Sequence, residues 1–256
     1  CALPIYLTAA FSSGLKLAKE RGSKSKNLKR PENLSTRVHQ FKINDTVLVI
    51  YREIPSSKMF SLTAATEGGQ RGETLETAGT FHAMATLIGL ASKKRGYEEF
   101  AGRIEDLGSV LCGFSGKDSF GFEMSCTVDQ TKEMLELLAE NILQPQFPDA
   151  QWNSYLRETL ETLKVQQDSS SWVCMRRLNL EVYGSHPYAL PIIGDERNVK
   201  NFKADGLREF YEKWRDGGRW VFGACGGAPV SLVQDQLSAL FEKFKPDPQI
   251  RTFPKN

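Results

Sequence analysis

The stretch Gly68–Leu90, GGQRGETLETAGTFHAMATLIGL, decides how this chain is read. A polar, glycine-rich turn runs into an amphipathic segment. The predicted helix, Thr77 to Ser92, places Ala78, Phe81, Ala85 and Ile88 on one face. His82 lies inside it. Residues three and four positions on share a helix face, and from His82 these are Ala85 and Thr86. Two histidines and a glutamate on such a face hold a catalytic zinc and its general base. Here only the first histidine is present. Alanine has no donor atom and a threonine hydroxyl is a poor zinc ligand. The stretch is placed as a catalytic helix and lacks the catalyst.

Outward from this helix, the pattern alternates hairpins and helices. Arg37 to Phe41 and Thr46 to Arg52, parted by Asn44-Asp45, predict a hairpin, and Lys58 to Thr66 a third strand. Glu67 to Glu76 is then a Gly-rich polar loop. Tyr97 to Leu107 predicts a helix with Gly108 at its C-cap. Val110 to Phe114 and Ser119 to Thr127 predict a second hairpin. Thr127 and Gln130 suggest a capping box for a helix running to Leu143. Asp149 suggests the cap of a long helix with Tyr155, Leu156, Leu160 and Leu163 inward, which Ser169 to Ser171 interrupt or re-cap before Trp172 to Tyr183. A loop, Gly184 to Gly194, a short helix from Asp205 to Arg215, a strand from Arg219 to Ala224 and a last helix from Pro229 complete the order. Hairpin-linked strands with helices bunched between them imply an α+β domain: a mostly antiparallel sheet with helices packed on one face.

Composition excludes several classes. The chain has 256 residues, 40% hydrophobic and 25% charged, with a net charge of +2. That is ordinary globular composition, without the field expected of a nucleic-acid or membrane-surface binder. No apolar run approaches the ~20 residues of a membrane span. Five dispersed cysteines define no disulfide framework. Lys16, Lys19, Arg21, Lys24, Lys26, Lys29 and Arg30, among Gly, Ser and Asn, read as a solvated linker after a possible helix tail at Tyr6 to Leu17. The chain reads as a piece of something longer: residues 1–36 a partial preceding segment and linker, 37–245 the α+β domain, and 246–256 the start of a linker.

Three passages, in this order, resemble the insulinase/pitrilysin family of zinc peptidases. They are Glu67-Gly68-Gly69-Gln70-Arg71-Gly72-Glu73 with Ala78-Gly79-Thr80-Phe81-His82; Phe100 to Gly108; and Tyr183-Gly184-Ser185-His186-Pro187-Tyr188-Ala189-Leu190-Pro191 with Ile193-Gly194. The resemblance covers about residues 37 to 245 and implies that family's processing-peptidase-like fold. Active members carry H-x-x-E-H on the helix and a third ligand, a glutamate, far downstream. Here the base position falls on Ala85 and the second histidine on Thr86. The downstream glutamate falls near Glu158, Glu161 or Thr162, with the register open. The resemblance therefore implies no catalytic residue and no metal ligand in this chain, with zinc held by a partner catalytic half. The implied partners are that homologous half or subunit, and peptide substrates.

Single residues carry plainer readings as well. His82 on an apolar face reads as a core histidine bonded to backbone, His186 as a loop-fixing residue, and Glu158 and Glu161 as part of an exposed face. Phe120 and Phe122 read as core. Ser119, Phe120, Gly121, Phe122 and Glu123 suggest, alternatively, an edge strand to which peptide adds through backbone groups. Three functions compete. One is a non-catalytic domain closing a peptide chamber; one is an assembly subunit like respiratory-complex core proteins; one is a peptidase with a rearranged metal site. The compartment stays open, with bacterial periplasm or cytoplasm favoured over the mitochondrion.

Overall fold

The computed structural model describes residues 38–248, without the side chain of Asp205. The helix tail, the basic run and the end of the last expected linker lie outside the described residues.

The hairpin strands are β1 (Val38–Asn44) and β2 (Val47–Glu53), followed by β3 (Met59–Glu67). The helix bearing His82, α1, spans Thr80–Leu87, and α2 spans Tyr97–Asp106. The second hairpin is β4 (Val110–Ser115) with β5 (Ser119–Thr127). Helices α3 (Thr131–Leu143), α4 (Asp149–Gln167), α5 (Ser170–Tyr183), α6 (Glu196–Asn201) and α7 (Ala204–Asp216) come next. Strand β6 (Trp220–Gly226) and helix α8 (Val230–Phe241) end the order.

The strands form one six-stranded sheet in the order β1-β2-β6-β3-β5-β4. β6 enters between β2 and β3, parallel to β2 and antiparallel to β3; every other pairing is antiparallel. Local hairpin signals located the outer pairs. The insertion of a strand some 150 residues downstream in sequence left no local trace. β5 consequently lies between β3 and β4. The expected edge strand at Ser119 to Glu123 is corrected: Phe120 to Glu123 are paired on both sides, and among the described residues β4 and β1 are the edges. Alternation alone marks which face of a strand is buried, never which strand is its neighbour.

One face of the sheet is core. Val47, Val49, Tyr51, Phe60, Leu62, Phe120, Phe122, Trp220 and Phe222 are buried there beneath the helices, as expected for Phe120 and Phe122. The other face is more open, carrying Ile50, Ser61, Glu123 and Val221. Tyr51 is fully buried, and its hydroxyl donates to the carbonyls of Gly226 and Ala228, tying the end of β6 to the start of α8.

Several expected caps resolve differently. Gly108 takes the left-handed conformation (φ 55°), with Gly108 N–H bonded to Glu105 O and Ser109 N–H to Ile104 O, the Schellman arrangement its position predicted. Ser169 Oγ accepts from Trp172 N–H and re-caps α5. The Thr127–Gln130 capping box does not form: Gln130 Oε1 instead accepts from Ser109 Oγ. Asp149 is the first residue of α4 rather than its side-chain cap, Pro148 taking that place.

Helix α1 sits on β4 through a glycine. A Cβ on Gly113 would lie 2.5 Å from Ala85 O and 2.0 Å from Ile88 Cγ2. We predict that Gly113→Ala lowers stability by roughly 2 kcal/mol. The readout is a fall in the denaturant midpoint at unchanged slope; an unchanged midpoint would contradict this packing.

Candidate functional site

Helix α1 is shorter than its hydrophobic pattern predicted, and Glu73 accounts for its start. The Glu73 carboxylate accepts Gly79 N–H at 3.2 Å and Phe81 N–H at 2.8 Å. Gly79 (φ 90°) cannot carry a Cβ, which would meet Gly194 N at 2.5 Å. The first helical turn is therefore satisfied from outside, and residues 74–78 are held in a turn instead of a helical one. Asn198 Nδ2 donates to Leu75 O at 2.8 Å and fixes that turn from α6. At the far end Gly89 (φ 93°) leaves the helix, and its N–H donates to buried Asn141 Oδ1 on α3. The predicted buried face, Ala78, Phe81, Ala85 and Ile88, holds.

His82 is half-buried, and its Nδ1 lies 3.2 Å from the Tyr155 hydroxyl on α4. Its expected partner was backbone; the structure supplies a side chain. Burial lowers the His82 pKa and raises that of Tyr155, so both groups are neutral near pH 7. Ala85 is buried and Thr86 exposed, the Thr86 hydroxyl donating back to His82 O at 2.9 Å. The buried stripe of α4 is Trp152, Tyr155, Thr159 and Leu163, rotated from the predicted set by leaving Leu156 and Leu160 half-buried. Glu158 and Glu161 point to solvent.

Zinc therefore does not fit here. One half-buried imidazole faces a tyrosine hydroxyl, and the nearby helical positions offer a methyl group and an outward threonine. Catalytic zinc sites use three protein ligands. Among the described residues, no group of three or more His, Cys, Asp or Glu side chains is placed to hold a metal.

Beside His82 lies a cleft of about 110 Å³, lined among others by Gln70, Glu73, Phe81, Lys117 and Ile192. Three chain segments meet there. The 115–118 turn docks on the 68–71 segment through Gly68 N–H to Asp118 O, Gln70 N–H to Gly116 O and Arg71 N–H to Lys117 O. Gln70 Nε2 reaches the third segment, donating to Leu190 O at 2.6 Å. That segment is the His-Pro-Tyr loop. His186 Nδ1 accepts Tyr188 N–H at 3.1 Å, the loop-fixing role read from its sequence. Tyr188 in turn donates to Asp118 Oδ1. Sequence reasoning quoted Gln70 and Glu73 but gave them no role. An acidic residue ahead of a helix with no Ser, Thr, Asn or Asp at its N-cap was the available signal.

Comparison with known proteins identifies the family. The profile of the insulinase family (peptidase family M16) matches residues 48–196, and the chain belongs to that family. It is 22% identical over 193 residues to a probable β subunit of the mitochondrial-processing peptidase of Arabidopsis thaliana, covering 75% of this chain and 36% of that protein. It is 21% identical over 212 residues to subunit 1 of the mouse cytochrome b-c1 complex, covering 81% and 44%. An inactive peptidase M16 domain from Pseudomonas fluorescens superimposes with a TM-score of 0.75 at 20% identity, covering 82% of this chain and 51% of that one. The chain thus spans about a third to a half of the curated relatives it matches. Among the described residues no helix is long and apolar enough to cross a membrane.

Burial, opposed by the backbone N–H groups of Phe81, Gly79 and Thr80, pushes the Glu73 pKa from 4.5 up to about 7. A carboxyl with a raised folded pKa favours the folded state fully below pH 4.5 and loses that contribution as pH rises through about 7. We predict a loss of at most roughly 3 kcal/mol from this group across that window. Glu73→Gln should flatten the fall, measured as denaturant midpoints against pH; parallel curves for the two proteins would contradict it.

Proposed function

We propose that residues 37–245 form a non-catalytic domain of a zinc metalloendopeptidase, closing a peptide-binding chamber against a catalytic homologous half that carries the zinc. The observation that carries this reading is the facing pair of helices. α1 carries His82, followed by a buried Ala85 and an exposed Thr86. On α4, the side chain that meets His82 is Tyr155, while Glu158 and Glu161 face solvent. The general base and the second histidine are missing together, so on this reading the domain retains the fold and not the chemistry. Similarity to an inactive M16 domain supports the reading.

The peptide surface is assigned to β4. This strand is a free edge of the sheet, flanked by α1, and Val110 at its start is exposed. An extended peptide would add there through backbone hydrogen bonds, needing no particular side chain. A second reading, a structural subunit of a larger assembly, is favoured by the similarity to the cytochrome b-c1 subunit.

The test uses the whole chain and a mixed library of unstructured peptides. The chamber-wall reading predicts no cleavage, with slowed amide exchange in β4 when peptide is added and none in β1. Peptide binding that protects β1, or no protection anywhere, favours the assembly reading. Cleavage abolished by a chelator would overturn both.

A further inference from the structure

The cleft beside His82 holds one buried acceptor without a donor, Gln70 Oε1, next to a buried carboxylate. Gln70 is 6% exposed, and its Nε2 donates to Leu190 O at 2.6 Å while lying 3.5 Å from Tyr188 O. A flipped amide would set Oε1 against those carbonyl oxygens, so the orientation is fixed. Oε1 is left buried with no partner, a costly condition for an acceptor. Glu73, 1% exposed, lines the same cleft. Two N–H groups occupy part of its carboxylate, which has about four acceptor sites when ionised. Phe81 contributes an aromatic wall. Lys117 at the rim does not fill this need, because its Nζ lies 5.2 Å and 5.0 Å from the ring centroids of Tyr183 and Tyr188. His82, which also lines the cleft, has its pKa lowered by burial and carries no charge near pH 7.

We propose that this cleft binds a primary ammonium group, held by Gln70 Oε1 and the Glu73 carboxylate against the Phe81 ring. The group would come from a peptide N-terminus or a lysine side chain. The inference rests on the chamber-wall reading for the path of the peptide. β4 ends at Ser115, and Ser115, Gly116 and Lys117 all line the cleft, so a chain added to that edge is led to its mouth. The cleft's volume of about 110 Å³ admits an ammonium with its adjoining carbon and little more. A water molecule would satisfy Gln70 Oε1. A cation, however, adds a charge that favours the ionised form of this deeply buried carboxyl beyond what a neutral donor supplies.

The experiment takes the whole chain and one lysine-free extended peptide in three forms: free N-terminus, acetylated, and acetylated with one lysine introduced. Titration calorimetry at pH 7.5 is expected to show the free or the lysine form binding at least about tenfold more tightly than the plain acetylated one, a difference of one charged contact. The form that gains identifies the source of the ammonium. Glu73→Gln and Gln70→Leu are each expected to remove the preference. In parallel, methylammonium chloride, against sodium chloride at equal ionic strength, is expected to shift the Gln70 side-chain amide signals of the unmodified protein. Equal affinity for the three peptides overturns the ammonium site and leaves the chamber wall standing. No peptide binding, with the methylammonium shift intact, overturns the chamber wall and keeps the cleft. Unmoved Gln70 signals overturn the ammonium site outright.

Discussion

The candidate site depends on one buried carboxylate. Glu73 takes the N–H groups of Gly79 and Phe81 and so fixes where α1 begins. With the start fixed, helical geometry turns Ala85 into the core, Thr86 to solvent and His82 toward α4. A buried carboxylate is costly unless it is neutral or hydrogen-bonded. Here the helix N-terminus supplies the bonds, and the residual burial holds the pKa near 7. The same contact anchors the turn at residues 74–78, on which Asn198 and the 191–194 segment close. None of these bonds uses the side chains of Ala85 or Thr86.

The sheet explains how β4 comes to lie at an edge. Inserting β6 between β2 and β3 buries a continuous aromatic face, with Trp220 packed against Phe120, Phe122, Phe222 and Phe244. The insertion leaves β4 at the margin next to α1. An edge strand presents unpaired backbone groups whatever its side chains are. Capacity to add a strand therefore does not depend on the side chains at positions 82, 85 and 86, which is why the proposed peptide-holding role needs no catalyst.

What the sequence disclosed follows the range of each interaction. The two hairpins, the Gly108 stop, the Ser169 cap and the buried face of α1 rest on contacts within a few residues, and their signals were local. The absence of the general base and second histidine was legible at Ala85 and Thr86 because helical spacing is fixed. The neighbours of β5 were not legible, since they depend on β6, far along the chain. The shortened α1 was missed because its cap is Glu73, reached through a turn and not by the usual adjacent position. Tyr155 as the partner of His82 was hidden for a related reason: the rotation of α4 about its axis is set by Trp152 and Leu163 packing, not by its own pattern.

The central claim is that the facing helices cannot assemble a zinc site from their own side chains. Zinc content after equilibration with a small excess of zinc and gel filtration tests it most directly. The whole chain is compared with one carrying Ala85→Glu, Thr86→His and Tyr155→Glu. The account predicts far less than one zinc per unmodified chain and a stoichiometric gain in the variant. One tightly held zinc per unmodified chain, lost on His82→Ala, would contradict it.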